Sequence, residues 1–397
     1  MASLAIRISL RRISKAVSIP AAKENPHRPP PKPVYITPMS CDEICREYRE
    51  KIHKMTTILM AAEEKRMRKT RVQAKKQAEF KNLLEEVVCG DSGRSRLISV
   101  GSLVTSLAVE DSSDYDFCLL PKDISFYRDF FHNHNFKRVF MDSVMELLSQ
   151  LQLKDPNLAF SAPPFPLYRA HVPLVCCFFT SGLSIDIQFP DENFHAIRNT
   201  NLVRHYAAVD PRFRQLYLYV RALFNRLGIR NSKDGYLSSY HILLLVIHFL
   251  QSRTSPPVLP VLSLTHKDKV GSQLPLETLL EMLEIPLEDL IDWKSDNKKS
   301  VGQLAIDFME YYATLDTQTN AIHIRFGKVV KKRQLPGDSR LLMYDPFSKF
   351  TVARASKISE ALRMGSTYVY NRMCKGQFLD SFPDFPEAEE FKIGNIR

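Results

Sequence analysis

A mixed α+β fold follows from three observations. Between about residues 90 and 190, short apolar runs (Arg96–Val100, Phe117–Leu120 and Leu183–Phe189) alternate with helical stretches, and the runs stop at Gly101, Pro121 and Pro190. From 191 to 250 the period becomes helical: Leu216, Val220, Leu223, Phe224 and Leu227 share one stripe, and Ile242 to Leu250 supplies another. Asp114 and Asp116 flank Tyr115, so on a strand both carboxylates lie on one face while Tyr115, Phe117 and Leu119 take the other. This last pattern also marks an acidic strand edge where a cation can bind.

Residues 1–36 read as a leader. The first 23 residues hold Arg7, Arg11, Arg12, Lys15 and Lys23, no acid, and serines at positions 3, 9, 14 and 18. Leu4 and Ile8 separate from Arg11 and Arg12 on a helix, which is a transit-peptide composition; a secretory signal needs a longer uncharged apolar core. PHRPPPKP at 26–33 is an extended spacer. The expected address is the mitochondrial matrix.

Ser40-Cys41-Asp42-Glu43 is a capping box, and no Gly or Pro interrupts residues 40 to 89. Ile44, Tyr48, Ile52, Met55 and Leu59 form an apolar stripe. One unbroken helix here would be ~75 Å long, so two helices with a break near residue 65 are expected. Lys65, Arg66, Arg68, Lys69, Arg71, Lys75, Lys76 and Lys81 face a single acid, Glu79, between 65 and 81. That segment is either a track for an RNA backbone or a solvated helix face. Further on, Ser252 to Gly271 reads as a loop, Leu274 to Ile291 and Val301 to Leu315 as helices, and Ile322 to Phe326 and Arg340 to Tyr344 as strands. The tail from Phe378 reads as irregular.

An apolar content of 44% and a charged content of 25% fit a folded, soluble protein, and a net charge of +11 favours phosphate-bearing partners. No uninterrupted apolar run reaches the ~18 residues of a membrane span, so no membrane partner is expected. The seven cysteines form no Cys-x-x-Cys pair and are read as reduced thiols, and no zinc site is expected.

Two neighbouring carboxylates raise each other's pKa unless a cation lies between them. A hard divalent ion takes oxygen ligands and keeps room for water and phosphate oxygens. Asp186, a lone acid in the alternating strand Leu183–Phe189, needs a partner in the same way. A Gly101-Ser102 turn after one strand, the Asp114/Asp116 pair on the next and Ile185-Asp186-Ile187 further on resemble the DNA polymerase β-like nucleotidyltransferases. Downstream, Asn199-Thr200-Asn201-Leu202-Val203-Arg204-His205-Tyr206, Asp234-Gly235-Tyr236-Leu237-Ser238-Ser239-Tyr240 and Tyr344-Asp345-Pro346-Phe347 resemble successive motifs of terminal uridylyltransferases and their poly(A) polymerase relatives. With the leader, the likeness is to the small mitochondrial uridylyltransferases of kinetoplastids that join an editosome-like complex.

The resemblance implies a catalytic domain of mixed sheet and helices (90–190) facing a mostly helical domain (191–397) across a nucleotide cleft, with segment 37–89 packed on the second domain. It implies that an RNA 3′ end attacks the α-phosphate of UTP with two Mg²⁺ ions, or Mn²⁺ in their place. Asp114 and Asp116 would hold both metals and Asp186 the one that activates the hydroxyl. Gly101, Ser102 and Ser113 would lie at the phosphates. Two family lysines match Arg221 and Asn225, with Arg226 beside the position that lost its charge. Asn199 with Thr200 would read ribose and pyrimidine O2, Tyr240 would stack on the base, and Ser239 would bond a carbonyl. Asp345 would accept from uracil N3–H; the family's glutamate is replaced by Ser348, so the choice of UTP is less secure than the transfer itself. The rivals are a poly(A) polymerase of the same fold and a silent RNA-binding scaffold.

Overall fold

The computed structural model describes residues 39–90, 93–109, 114–170, 172–332, 340–353 and 355–378. The leader, Ser113 and the tail beyond Phe378 lie outside them.

Ser40 caps the first helix, α1 (Cys41–Glu47), with the reciprocal Glu43 bond of a full capping box. The chain then breaks at Tyr48, and α2 runs unbroken for 41 residues from Arg49 to Cys89. The sequence predicts a break near residue 65, and none is present. The reason is that α2 has two buried ends: Ile52, Met55 and Leu59 enter one hydrophobic core, whereas Leu84, Val87 and Val88 enter another. Between them Glu63, 7% exposed, receives Arg214 at 2.7 Å and Arg66 at 3.6 Å. Lys65, Arg68, Lys69, Lys75 and Lys76 remain exposed on the outside. Residues 41–89 therefore pack on both cores, where the expectation placed segment 37–89 on the second domain.

The α2 C-terminal half covers a five-stranded sheet of order β1-β2-β5-β4-β3. Its strands are β1 (Ser95–Ser99), β2 (Tyr115–Pro121), β3 (Phe160–Leu167), β4 (Leu174–Phe179) and β5 (Ser184–Gln188). Only β2 and β5 run parallel, and their register sets Asp116 opposite Asp186. Alternation sends Tyr115, Phe117, Val175, Cys177, Ile185 and Ile187 to the buried face. There Phe80 of α2 meets the rings of Tyr115, Phe117 and Phe179 at 5.9–6.4 Å. Two helices, α3 (Ile124–His132) and α4 (His134–Ser149), complete this unit. β3 is not visible in the sequence pattern because Pro163, Pro164 and Pro166 occupy it; as an edge strand it tolerates their missing donors.

The other core gathers α5 (His195–Val209), α6 (Pro211–Arg226), α7 (Ser239–Ser252) and α9 (Val301–Thr314). A further helix, α10 (Lys357–Met373), packs along α9 and was not read from the sequence. The predicted helix 274–291 shortens to α8 (Leu276–Glu284), whose Leu279 returns to the sheet's core. The predicted strand at 322–326 is Asn320–His323 (β6) followed by a helical turn, since Gly327 at φ +56 folds the chain back as β7 (Lys328–Lys331). β8 (Leu342–Tyr344) joins β6 in parallel and delivers Asp345 to the gap between the cores.

Candidate active site

The site grows from the end of β1. Val100 donates to the Asp116 carbonyl at 3.0 Å, and Gly101 then turns at φ +80. A Cβ on Gly101 would stand 2.1 Å from Asp116 Oδ2. From the sequence, this glycine is assigned to the approach of phosphates; in the structure, its bare Cα already makes room for a carboxylate. Gly101→Ala is therefore expected to destabilise the protein by more than ~1 kcal/mol through strain alone and to displace Asp116. Urea unfolding checks this, and an unchanged midpoint would refute it.

Asp116 is pushed up to about 7 by burial first, then by Asp186 and Asp114, against a backbone hydrogen bond from Ser102. Asp186 is also raised by burial and by Asp114, while the Cys176 thiol, opposite it in register, bonds its carboxylate and counters the shift. Asp114, at the mouth of β2, accepts the Ser184 hydroxyl. Buried Gln77 of α2 donates to the Asp116 carbonyl at 3.3 Å, which ties the long helix to the acidic strand. Cys176 and Gln77 have no local sequence signal. They meet the acids only through strand pairing and helix packing.

Among the described residues, no three His, Cys, Asp or Glu side chains form a ready-made metal cage. The donor chemistry nonetheless suits a hard divalent ion: coupled carboxylates that resist joint ionisation gain most from a double positive charge between them. An ion that shares its coordination with water and phosphate oxygens does not need a closed protein cage.

Next to Gly101 opens a cavity of about 680 Å³ between the two cores. Its lining includes Gly101, Ser102, Asn199, Thr200, Ser239, Tyr240 and Asp345, so these seven expected residues do come together. The Tyr240 hydroxyl donates to Asn199 Oδ1 at 3.0 Å and lies 3.5 Å from Asp345 Oδ2. Burial and Asp345 hold this phenol protonated. Asp345 Oδ1 accepts the amides of Phe347 at 2.9 Å and Ser348 at 2.7 Å, which fixes the turn and leaves Oδ2 on the cavity side. Thr200 has its hydroxyl committed to the Ala196 carbonyl at 2.8 Å and to the Gly101 amide at 3.3 Å. It fastens α5 to the glycine turn.

Arg221 and Asn225 do not line this cavity. Arg230, which the sequence pattern did not reveal, reaches the lining through Ser239: it donates to Ser239 Oγ and to Asn225 Oδ1, both at 3.1 Å. Arg226 is exposed. His195, also on the lining, is paired with Asp191, which raises the imidazole and lowers the carboxyl.

Two segments match known families. Residues 57–208 match the central palm domain of mitochondrial-like poly(A) RNA polymerases, and 300–349 match the Cid1 family of poly(A) polymerases. Poly(A) RNA polymerase gld-2 homolog A of Drosophila melanogaster is 31% identical over 280 residues, covering 66% of this chain and 19% of that protein. Terminal uridylyltransferase 7 of Homo sapiens is 33% identical over 240 residues, 57% of this chain and 16% of that one. The chain thus spans less than a fifth of either relative's length. In solved structures, the GLD-2/RNP-8 complex superposes with a TM-score of 0.58 at 20% identity over 89% of this chain and 99% of that one. Cid1 bound to its product ApU gives 0.58 at 22% over 83% and 98%. The fold is that of the polymerase β-like nucleotidyltransferases. Over residues 57–208 and 300–349 the sequence is similar to poly(A) polymerases of the mitochondrial-like and Cid1 kinds.

Proposed function

We propose that the protein is a template-independent RNA uridylyltransferase, transferring UMP from UTP to an RNA 3′ end. The observation that carries this reading is Asp345 Oδ2 beside the Tyr240 and Asn199 pair, a carboxyl acceptor at the base pocket suited to the N3–H of uracil. Asp114, Asp116 and Asp186 are assigned to two divalent ions, Mg²⁺ or Mn²⁺, which when bound stabilise charge on the entering and leaving oxygens. The RNA 3′ hydroxyl releases its proton to water, its oxygen forms a bond to the α-phosphorus, the bond from that phosphorus to the bridging β-phosphate oxygen breaks, and diphosphate leaves. Ser102, on the cavity lining, is assigned to the phosphates, and Arg221 and Arg230 to the negative charge of the triphosphate. The transit-peptide composition of residues 1–23 supports a mitochondrial matrix location, and the motif resemblance an editosome-like complex as partner.

A second reading, poly(A) addition, is favoured by Ser348 where uridylyltransferases carry Glu and by the names of most similar proteins. Extending a labelled RNA with each of the four nucleotides in Mg²⁺ separates the two. Preferred incorporation of UMP supports the first; equal or better use of ATP overturns it.

The exposed basic face of α2 is assigned to the RNA backbone. Replacing Lys75 and Lys76 by Gln is expected to weaken RNA binding and to lower the slope of log K against log salt by ~0.7 per lost single-strand contact. An unchanged slope in a filter-binding titration would leave that face as solvent surface only.

A further inference from the structure

The open face of the sheet carries an aromatic pair that the site described so far does not use. Phe165 and Phe178 are 39% and 43% exposed, with ring centroids 5.8 Å apart and planes 22° from parallel. Strand alternation and pairing fix which face they occupy. Cys176 bonds the Asp186 carboxylate, and Phe178 lies two residues further along β4 on the same face. Phe178 pairs in register with Ser184, whose hydroxyl goes to Asp114. Phe165 pairs with Cys176 one strand further out. The two rings therefore stand one and two strand spacings, ~4.8 Å each, from the strand of Asp186.

We propose that Phe165 and Phe178 form a stacking platform for the last bases of the RNA before its 3′ end, on the opposite side of the acids from the nucleotide cavity. The idea rests on the polymerase reading of that site. Large exposed aromatics are costly on a surface without a partner, and flat rings offer every base a π-face. The strands that carry the rings add no acid of their own from Pro156 to Ile185, Arg169 is exposed in the turn after β3, and the nearby acids are tied up, Asp114 by Ser184 and Asp142 by Tyr168. Pro163, Pro164 and Pro166 deny β3 the donors that a protein strand would need to add to this edge. The face, not the edge, is what is offered.

The test uses an RNA with 2-aminopurine next to its 3′ terminus, mixed with full-length protein in EDTA and no nucleotide, so that catalysis plays no part. Wild type is expected to quench the probe. The double variant Phe165→Leu/Phe178→Leu keeps apolar volume but loses the rings; it should bind about tenfold more weakly, the size of one lost base stack, and quench little. Phe165→Tyr/Phe178→Tyr should restore both. In extension assays the Leu variant should show a raised KM for RNA with the KM for nucleotide unchanged. Wild-type binding and quenching by the Leu variant would overturn the platform, even if it loses a co-purifying protein instead. A wild type that quenches but adds no nucleotide would sink the transferase reading and leave the platform standing.

Discussion

Asp116→Asn is expected to reduce nucleotide addition by at least ~10²-fold, the scale on which removal of one electrostatic stabiliser is felt. The fold should survive. Asp116 is half-buried beside Asp186 and Asp114, and its carboxyl is already pushed up to about 7 by desolvation first and by those two acids next. An amide of the same shape relieves the repulsion, so in EDTA the variant should melt no lower than wild type. Added Mg²⁺ should raise the melting temperature of wild type and not that of Asp116→Asn. The same comparison for Asp186→Asn should agree, because the two residues are register partners. Wild-type turnover in either variant would remove that residue from the site.

The second large effect concerns the base. Asp345 has two jobs that an alanine would confuse: Oδ1 holds the amides of Phe347 and Ser348, while Oδ2 faces Tyr240. Asp345→Asn separates them, because its carbonyl oxygen keeps the turn and its NH₂ puts a donor where an acceptor was. Uracil presents N3–H, a donor, so donor would meet donor. An unpaired polar group of this kind costs ~1–3 kcal/mol, or roughly ten- to a hundredfold. We expect kcat/KM for UTP to fall by that factor and the value for ATP, whose N1 is an acceptor, to hold or rise. Equal losses for both nucleotides would mean that Asp345 shapes the turn and does not read the base.

The three acids were legible because their signal is local, whereas the residues of the base pocket came from the resemblance alone. A strand alternates with period two, so Asp-x-Asp declares a shared face, and an acid inside an apolar strand declares a partner. Ser40, Ser238 and Ser300 start their helices by contacts within a single turn. What escaped depends on distant chain. Nothing within residues 40–89 says that one end of α2 will enter the helical core and the other the sheet's core, so its continuity past residue 65 was hidden. Cys176, Gln77 and Arg230 become site residues only when strands pair or helices dock. β3 was concealed by prolines that are harmless at an edge and would disqualify an interior strand.

The span of α2 also bears on how the protein comes apart. A helix propagates cheaply once formed, but only while its packed face holds. Since Ile52 and Leu84 are planted in different cores on one continuous rod, loosening either core frays the support of the other. The Glu63, Arg66 and Arg214 cluster at its middle is likewise largely shielded from solvent. Melting should accordingly be a single transition, with calorimetric and van't Hoff enthalpies in agreement, and a protease cut in the exposed stretch around Lys69 should convert it into two.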